Sequence, residues 1–273
     1  MSWQLSVLLA TLAGAGAASG FLAGLFGVGG GAIVVAALYQ AFSYAGLADS
    51  LCMRMSVGTA FAVMVPTSAI SFRGHSRRGS ADQRIARLWV VPVVCGVAAG
   101  SLLAAHLDGE KLKAIFIALV LFNAAKLLSG WPVWRMATDV PSAAAVRASG
   151  VVIGFLSSLI GIGGGIFGNM FLTAYGRPMH QAIGTTASLG AIISLAGTCT
   201  FMLLGLGAAG LPPGSIGFVS VIAGCIVAPI ASALAPLGVR VAHRFTREQL
   251  RIGFGLFLIV VSGRFLASLF LHV

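Results

Sequence analysis

Two glycine-rich runs interrupt apolar sequence in this chain, GFLAGLFGVGGG at 20–31 and GFLSSLIGIGGG at 154–165. Each run ends in a glycine, an aliphatic residue and three more glycines, and a new apolar stretch begins at Ala32 and at Ile166. Glycine permits positive φ and lets another group approach the backbone closely. A helix that starts after such a break presents free N–H groups and a partial positive charge. Both runs are therefore predicted to be anion-binding helix breaks.

Hydroxyl and amide side chains follow both breaks within apolar sequence. Val57-Gly58-Thr59 matches Ile183-Gly184-Thr185, so the two threonines are expected to act as equivalent hydroxyl donors. Hydroxyls in membrane helices often bond back to their own helix, which is the structural alternative for each of them. The candidate substrate-binding residues are Gly29, Gly30, Gly31, Thr59, Gly163, Gly164, Gly165, Asn169, Thr185 and Thr186.

Helix packing and nucleotide binding are two other possible uses of these glycines. Small residues also let membrane helices pack closely, and that interpretation stays open for each run. Gly27, Gly29 and Ala32 fit a G-x-G-x-x-A dinucleotide motif, with Asp49 at a suitable distance. The second run has no such acid, and no alternation of strands and helices surrounds either run, so nucleotide binding is excluded.

Catalytic and metal-binding patterns are absent from the sequence. The chain has no Ser-His-Asp or His-Glu-x-x-His arrangement, and its acids fall in or beside loops. The four cysteines show no paired spacing that would suggest zinc or a disulfide framework. The sequence therefore predicts no enzyme, no metal and no cofactor, and it favours an anion over a cation as substrate.

The composition is that of a chain that lies mostly in lipid. Of the 273 residues, 58% are hydrophobic and only 8% are charged, whereas a soluble domain carries about 25% charged residues. The formal charge of +11 comes from short loops between apolar runs, as cytoplasmic loops of membrane proteins require. A nucleic-acid partner is excluded because no basic surface on a polar domain is present.

An internal repeat divides the chain into residues 1–129, a linker at 130–146, and residues 147–273. Each unit contains five apolar stretches. They lie at 3–26, 32–47, 55–72, 86–106 and 111–129, and at 147–160, 166–176, 182–206, 214–239 and 249–271. A membrane span needs about 20 apolar residues, so 32–47 and 166–176 are predicted to be half-helices. The predicted fold is all-α.

Loop charge predicts that the two units are inverted in the membrane. Residues 73–87 carry five arginines and one aspartate, whereas the matching loop at 206–215 carries no charge. Basic loops are cytoplasmic, so matching loops are expected on opposite sides. Each unit is then a glycine-broken, re-entrant-like hairpin plus three transmembrane helices. The expected location is a bacterial-type inner membrane, with several spans and both termini on the periplasmic side.

The duplicated glycine break, the short helix after it and the aliphatic-Gly-Thr helix start resemble the TauE/SafE family, the sulfite exporter or 4-toluene sulfonate uptake permease family. The resemblance covers nearly the whole chain. It implies an integral membrane transporter of small sulfur-containing or organic anions, such as sulfite or sulfonates. Members differ in substrate and direction, so the resemblance fixes neither.

The sequence thus predicts a secondary transporter that works by alternating access around the two breaks. Export is the expected direction, because a negative interior favours anion exit by about 2.3 kcal/mol per charge per 100 mV. The predicted partners are a small anion and the lipid bilayer. A membrane-embedded accessory or assembly protein without transport, and a passive anion channel, remain as alternatives. The identity of the anion, the coupling ion and the oligomeric state are left open.

Overall fold

A computed structural model describes residues 2–26, 30–77, 82–129, 142–242 and 244–270, and these residues form ten α-helices and one short β-hairpin. In the first half the helices are α1 (Ser2–Phe26), α2 (Gly31–Tyr44), α3 (Asp49–Arg77), α4 (Gln83–His106) and α5 (Gly109–Ser129). In the second half they are α6 (Ala143–Ile160), α7 (Gly165–Ala174), α8 (Met179–Leu204), α9 (Val221–Ala242) and α10 (Arg247–Phe270). The all-α prediction is confirmed.

Helix lengths separate spanning helices from half-helices. Six of the described helices are long and apolar enough to cross a membrane, namely α4, α5, α6, α8, α9 and α10. With 14 and 10 residues, α2 and α7 reach only about 21 and 15 Å at 1.5 Å per residue, which is less than a hydrocarbon core of about 30 Å. The predicted half-helices are confirmed. Each is preceded by a longer apolar helix, α1 or α6.

The two halves pack on each other in a reciprocal way. Helix α1 packs along α9 of the second half, and α6 packs along α4 of the first half. Helices α3 and α8 pack together, as do α5 and α10, while α2 lies on α3 and α7 lies on α8. Each of these crossings between the halves therefore has a counterpart in the opposite direction.

The first glycine of each run lies where these helices cross. A Cβ on Gly20 would overlap the backbone carbonyl of Ala231 in α9, and a Cβ on Gly154 would overlap the carbonyl of Val93 in α4. Only glycine permits so close an approach of two helix backbones. The packing interpretation of the glycine runs thus holds for their first residue.

The apolar stretch expected at 214–239 begins later than its sequence suggests. Helix α9 starts at Val221, and the residues before it form a hairpin of β1 (Ser215–Ile216) and β2 (Val219–Ser220). Gly217 in the turn has a φ of 55° and passes so close to Met202 that a Cβ would overlap its carbonyl oxygen. Helix α6 also begins at Ala143, inside the linker expected at 130–146, whose residues 130–141 lie outside the described residues.

Large apolar side chains are exposed on several of the helices long enough to span. Val91 of α4, Leu203 of α8 and Val260 of α10 are 69%, 67% and 63% exposed. Soluble monomers rarely expose apolar surface in this way, whereas lipid-facing helices do. The exposed faces therefore agree with a multi-pass membrane protein.

Candidate functional site

The second glycine break lies wholly within the described residues. Helix α6 ends at Gly161, whose φ is 71° and whose N–H donates to the carbonyl of Ser157. Helix α7 then begins after Gly164, which has a φ of 73°. An L-residue with a side chain rarely adopts such a φ, so the backbone conformation favours glycine at both positions.

The first break ends in the same local geometry. Residues 27–29 lie outside the described residues, and with them the predicted site residue Gly29. Gly30 precedes α2 with φ 69° and ψ −1°, close to the 73° and −8° of Gly164. The carbonyl of Gly30 accepts from the N–H of Val34 at 2.8 Å, and the carbonyl of Gly164 accepts from the N–H of Gly168 at 2.9 Å. Each is the first hydrogen bond of its helix. The two helix starts are therefore equivalent in backbone conformation.

No side chain caps either helix start among the described residues. Neither Gly30 nor Gly164 carries a capping side chain, so no Ser, Thr, Asp or Asn side chain accepts from the first-turn N–H groups. Helix starts normally satisfy these groups with a cap, with water or with a ligand. The first-turn N–H groups of α2 and α7 are therefore without a side-chain cap from the residue before each helix.

The two breaks meet inside the protein. A Cβ on Gly31 would contact the carbonyl oxygen of Gly161 and lie 2.8 Å from the Cα of Ile162. A cavity of about 10 Å³ between them is lined by Gly30, Gly31, Ile162, Ile166 and Phe254, among others. This volume holds about one water molecule, so the contact between the breaks is closed in this conformation.

Thr59 and Thr185 make matching contacts across the two halves. The Thr59 hydroxyl accepts from the backbone N–H of Ser220 at 3.0 Å, and the Thr185 hydroxyl accepts from that of Asp82 at 2.9 Å. Thr185 also donates to the carbonyl of Gln181 at 2.8 Å. Both threonines are fully buried. These bonds place the two hydroxyls at the starts of α9 and α4, where they hold the chain rather than face the breaks.

Asn169 and Thr186 form a polar pair behind the second break. Asn169 lies in the first turns of α7, and its Oδ1 is 2.7 Å from the Thr186 hydroxyl. Thr186, in α8, is buried and also lies within hydrogen-bond distance of the carbonyl of Ala182 at 3.0 Å. The structure therefore brings together two of the predicted residues, Asn169 and Thr186, near Gly164 and Gly165.

Gly163 and Gly165 differ in the space around them. A Cβ on Gly163 would lie 3.5 Å from the Cα of Gly190 in α8, which is ordinary contact. A Cβ on Gly165 would meet no atom of the described residues within 4 Å. Within the described part of the chain, Gly165 therefore has space beside it.

A buried serine that the sequence analysis did not select also lies at the second break. Ser157 of α6 is fully buried, and its hydroxyl has no hydrogen-bond partner among the described residues. Its Oγ lies 3.7 Å from the position that a Cβ of Gly164 would take. The alignment of the two runs contained a signal, since Ser157 matches Ala23 in the first half.

Acidic side chains lie at helix starts in the described part of the chain. Asp49 begins α3 and pairs with the buried Lys113 of α5 at 3.1 Å, and Asp82 caps α4 and lies 3.8 Å from Arg177. No group of three or more His, Cys, Asp or Glu residues that could hold a metal occurs within the described residues. The polar groups at the breaks are therefore neutral ones.

Comparison with known proteins identifies the family. Residues 12–265 match the sequence profile described as "Sulfite exporter TauE/SafE". This chain belongs to the TauE/SafE family. A "Probable membrane transporter protein" of Haemophilus influenzae is 33% identical over 247 residues, which cover 90% of this chain and 94% of the relative.

A second relative of the TauE/SafE protein comes from an archaeon. A "Probable membrane transporter protein" of Methanocaldococcus jannaschii is 25% identical over 253 residues, which cover 92% of this chain and 93% of the relative. No solved structure gives a significant match. The family, the two relatives and the six apolar helices together indicate a multi-pass membrane transporter.

Proposed function

We propose that this protein is a secondary transporter that exports small sulfur-containing or organic anions, such as sulfite or sulfonates, by alternating access. It is not an enzyme in this proposal, and it needs no cofactor. The single observation that carries the proposal is the pair of uncapped helix starts after Gly30 and Gly164, the first of which packs against Gly161 and Ile162 of the second break. Broken helices whose N-termini converge are how several transporter folds bind anionic substrates at the membrane midplane.

The substrate is an anion because of the groups that the breaks offer. Backbone N–H groups at a helix N-terminus bind negative charge through their dipoles. Gly30, Gly31, Gly163, Gly164 and Gly165 supply this backbone, and Gly29 belongs to the same run. Asn169 and Thr186 add polar side chains at the second break. Thr59 and Thr185 remain site residues in this proposal. Their role is to position the surrounding helices through the hydrogen bonds to Ser220 and Asp82.

Alternating access requires the closed contact between the breaks to open in turn to each side. The crevice of about 10 Å³ is too small for a sulfonate, so the conformation described is an occluded one in this proposal. The repeats, at 1–129 and 147–273 on either side of the linker, are inverted, with both termini on the periplasmic side of the inner membrane. The reciprocal packing of α1 on α9 and of α6 on α4 supports a two-fold arrangement.

The proposal is tested by flux measurements in liposomes. Purified protein is reconstituted, loaded with sulfite, sulfoacetate or another anion of a panel, and the release of anion is followed under an imposed membrane potential. A carrier shows flux that saturates with concentration, together with counterflow of labelled anion. Flux that does not saturate indicates a passive channel. A reconstituted, folded protein that transports no anion under any gradient would support the accessory-protein alternative and refute the proposal.

A further inference from the structure

The two breaks have the same backbone conformation but different surroundings. At the first break Gly31 is packed against the carbonyl of Gly161 and the Cα of Ile162. At the second break the equivalent residue, Gly165, has no atom of the described residues within 4 Å of its Cβ position. Of these two glycines, Gly165 is therefore the one with space beside it in the described part of the chain.

Side chains around the breaks differ in the same direction. The ungapped alignment of the two runs pairs Ala23 with Ser157, and its continuation pairs Val35 with Asn169. The alignment of the two Gly-Thr helix starts pairs Ala60 with Thr186. At each of these positions the first half is apolar and the second half is polar.

Ser157 is the observation that points to a ligand. Its side chain is fully buried and its hydroxyl has no partner in the described chain, although it lies beside the Gly164 that starts α7. Burying a hydroxyl without a partner costs free energy. Alanine at the equivalent position of the first half shows that such a break can form without this hydroxyl. The serine is therefore not required by the backbone turn.

Resting on the proposed function, we propose that the second break supplies the side-chain contacts to the transported anion, with the Ser157 hydroxyl as one of its hydrogen-bond donors. The first-turn N–H groups of α7 supply further donors. Asn169 donates through Nδ2, because its Oδ1 faces the Thr186 hydroxyl at 2.7 Å. The first break contributes an apolar wall, in which Val35 lies against Gly161.

This arrangement defines the class of ligand. All the proposed donors are neutral N–H and O–H groups, so the bound end of the substrate is an oxyanion with several acceptor oxygens and no hydrogen of its own to donate. A sulfonate or a fully ionised sulfite meets this requirement. An ammonium group at that end would face donors only and is excluded.

The test compares two neighbouring serines. Ser157→Ala removes the hydroxyl without a partner, whereas Ser158→Ala removes a buried hydroxyl that donates to the carbonyl of Phe155 at 2.8 Å. Binding of sulfoacetate and of sulfite to the purified proteins is measured by calorimetry, and thermal unfolding is measured without ligand. Ser157→Ala is expected to weaken binding about ten-fold, equal to about 1.4 kcal/mol, and to leave the ligand-free unfolding temperature unchanged or higher. Ser158→Ala is expected to keep the affinity and to lower that temperature.

A third variant tests whether one half carries the site. Asn169→Val places the first-half residue in the second break, and weaker binding with a normal unfolding temperature is expected. If the wild-type protein binds an anion and the Ser157→Ala and Asn169→Val proteins bind it equally well, the inference is wrong and the proposed function stands. If Ser157→Ala lowers the ligand-free unfolding temperature along with the affinity, the serine is structural and the inference is also overturned. If no anion binds the wild-type protein, the proposed function fails together with the inference.

Discussion

The Thr59 hydroxyl lies 3.0 Å from the backbone nitrogen of Ser220, a residue 161 positions further along the chain. Thr185 makes the equivalent contact with Asp82, which lies in the other half. Ser220 and Asp82 each use their own side chain to accept from the first turn of a helix, α9 or α4. Each threonine thus fixes the start of a long helix of the opposite half.

Substitution of either threonine by valine should destabilise the protein by about 1–3 kcal/mol, because a buried backbone N–H loses its acceptor while the side-chain shape is kept. Thermal unfolding of Thr59→Val and Thr185→Val in detergent measures the effect. Thr200→Val is the matched control, since its hydroxyl bonds only to Ala196 of its own helix. If the control variant lost as much stability as the other two, the contacts between the halves would contribute no more stability than a hydroxyl bonded within its own helix.

Alanine at the helix crossings should be costly, although alanine is normally the better helix former. In Gly20→Ala and Gly154→Ala the new Cβ overlaps a backbone carbonyl of the facing helix, and overpacking of this kind costs about 1–3 kcal/mol. Gly14→Ala, in the same helix as Gly20, meets no atom within 4 Å and should stabilise the protein by up to about 1 kcal/mol. The unfolding temperature should therefore fall in Gly20→Ala and Gly154→Ala and rise in Gly14→Ala. A fall in all three variants would contradict the explanation by close helix crossings.

Backbone strain and anion binding can be separated by two glycines with similar φ. Gly164 has a φ of 73° at the start of α7, and Gly46 has a φ of 77° in the turn after α2, where a Cβ would meet nothing. The positive φ should make alanine cost about 1–2 kcal/mol of stability at either position, and Gly164→Ala adds an overlap of its Cβ with Cδ1 of Ile193. Anion flux in liposomes should be lost only in Gly164→Ala, because only that residue lies at the proposed site. Equal flux in both variants would remove the second break from the transport path.

Substitution of Asp49 and substitution of Lys113, which form an ion pair, should change the stability of the protein by different amounts. Lys113 is 1% exposed whereas Asp49 is 64% exposed, so removing the carboxylate leaves a buried ammonium group with weaker compensation. Asp49→Asn is expected to cost up to about 3 kcal/mol, while Lys113→Met replaces the buried charge by an apolar side chain of similar length and should change stability by less than about 1 kcal/mol. Thermal unfolding of both variants checks the order. The reverse order would mean that the pair acts as an exposed one.

The sequence was sufficient for the breaks and the half-helices. Glycine runs within apolar sequence demand a backbone that other residues cannot adopt, and the short stretches after them are too short to span a bilayer. The predicted repeat pairs Thr59 with Thr185, and the structure gives the two threonines matching contacts. The sequence could not show their partners, because contacts with Ser220 and Asp82 depend on how the halves pack.

The same dependence on packing explains what was missed. Ser157 stands out because its buried hydroxyl has no hydrogen-bond partner in the part of the chain that the structure describes, which a sequence does not reveal. Within one run, Gly20 serves a helix crossing and Gly30 serves a turn. Close packing and helix breaking are therefore not alternatives for these glycines, because the fold uses both at different positions of the same run. The late start of α9 was missed because residues 214–220 are apolar enough to resemble its first turns.

The reciprocal packing of α1 on α9 and of α6 on α4 has a bearing on how such a chain could arise. In the predicted repeat, a single five-helix unit could form these crossings only with a second copy, which would receive its glycine-bearing helix and return the same contact. Joining the two copies in one polypeptide frees each half to change alone, and the serine at 157 opposite the alanine at 23 is a difference that an assembly of identical subunits could not carry.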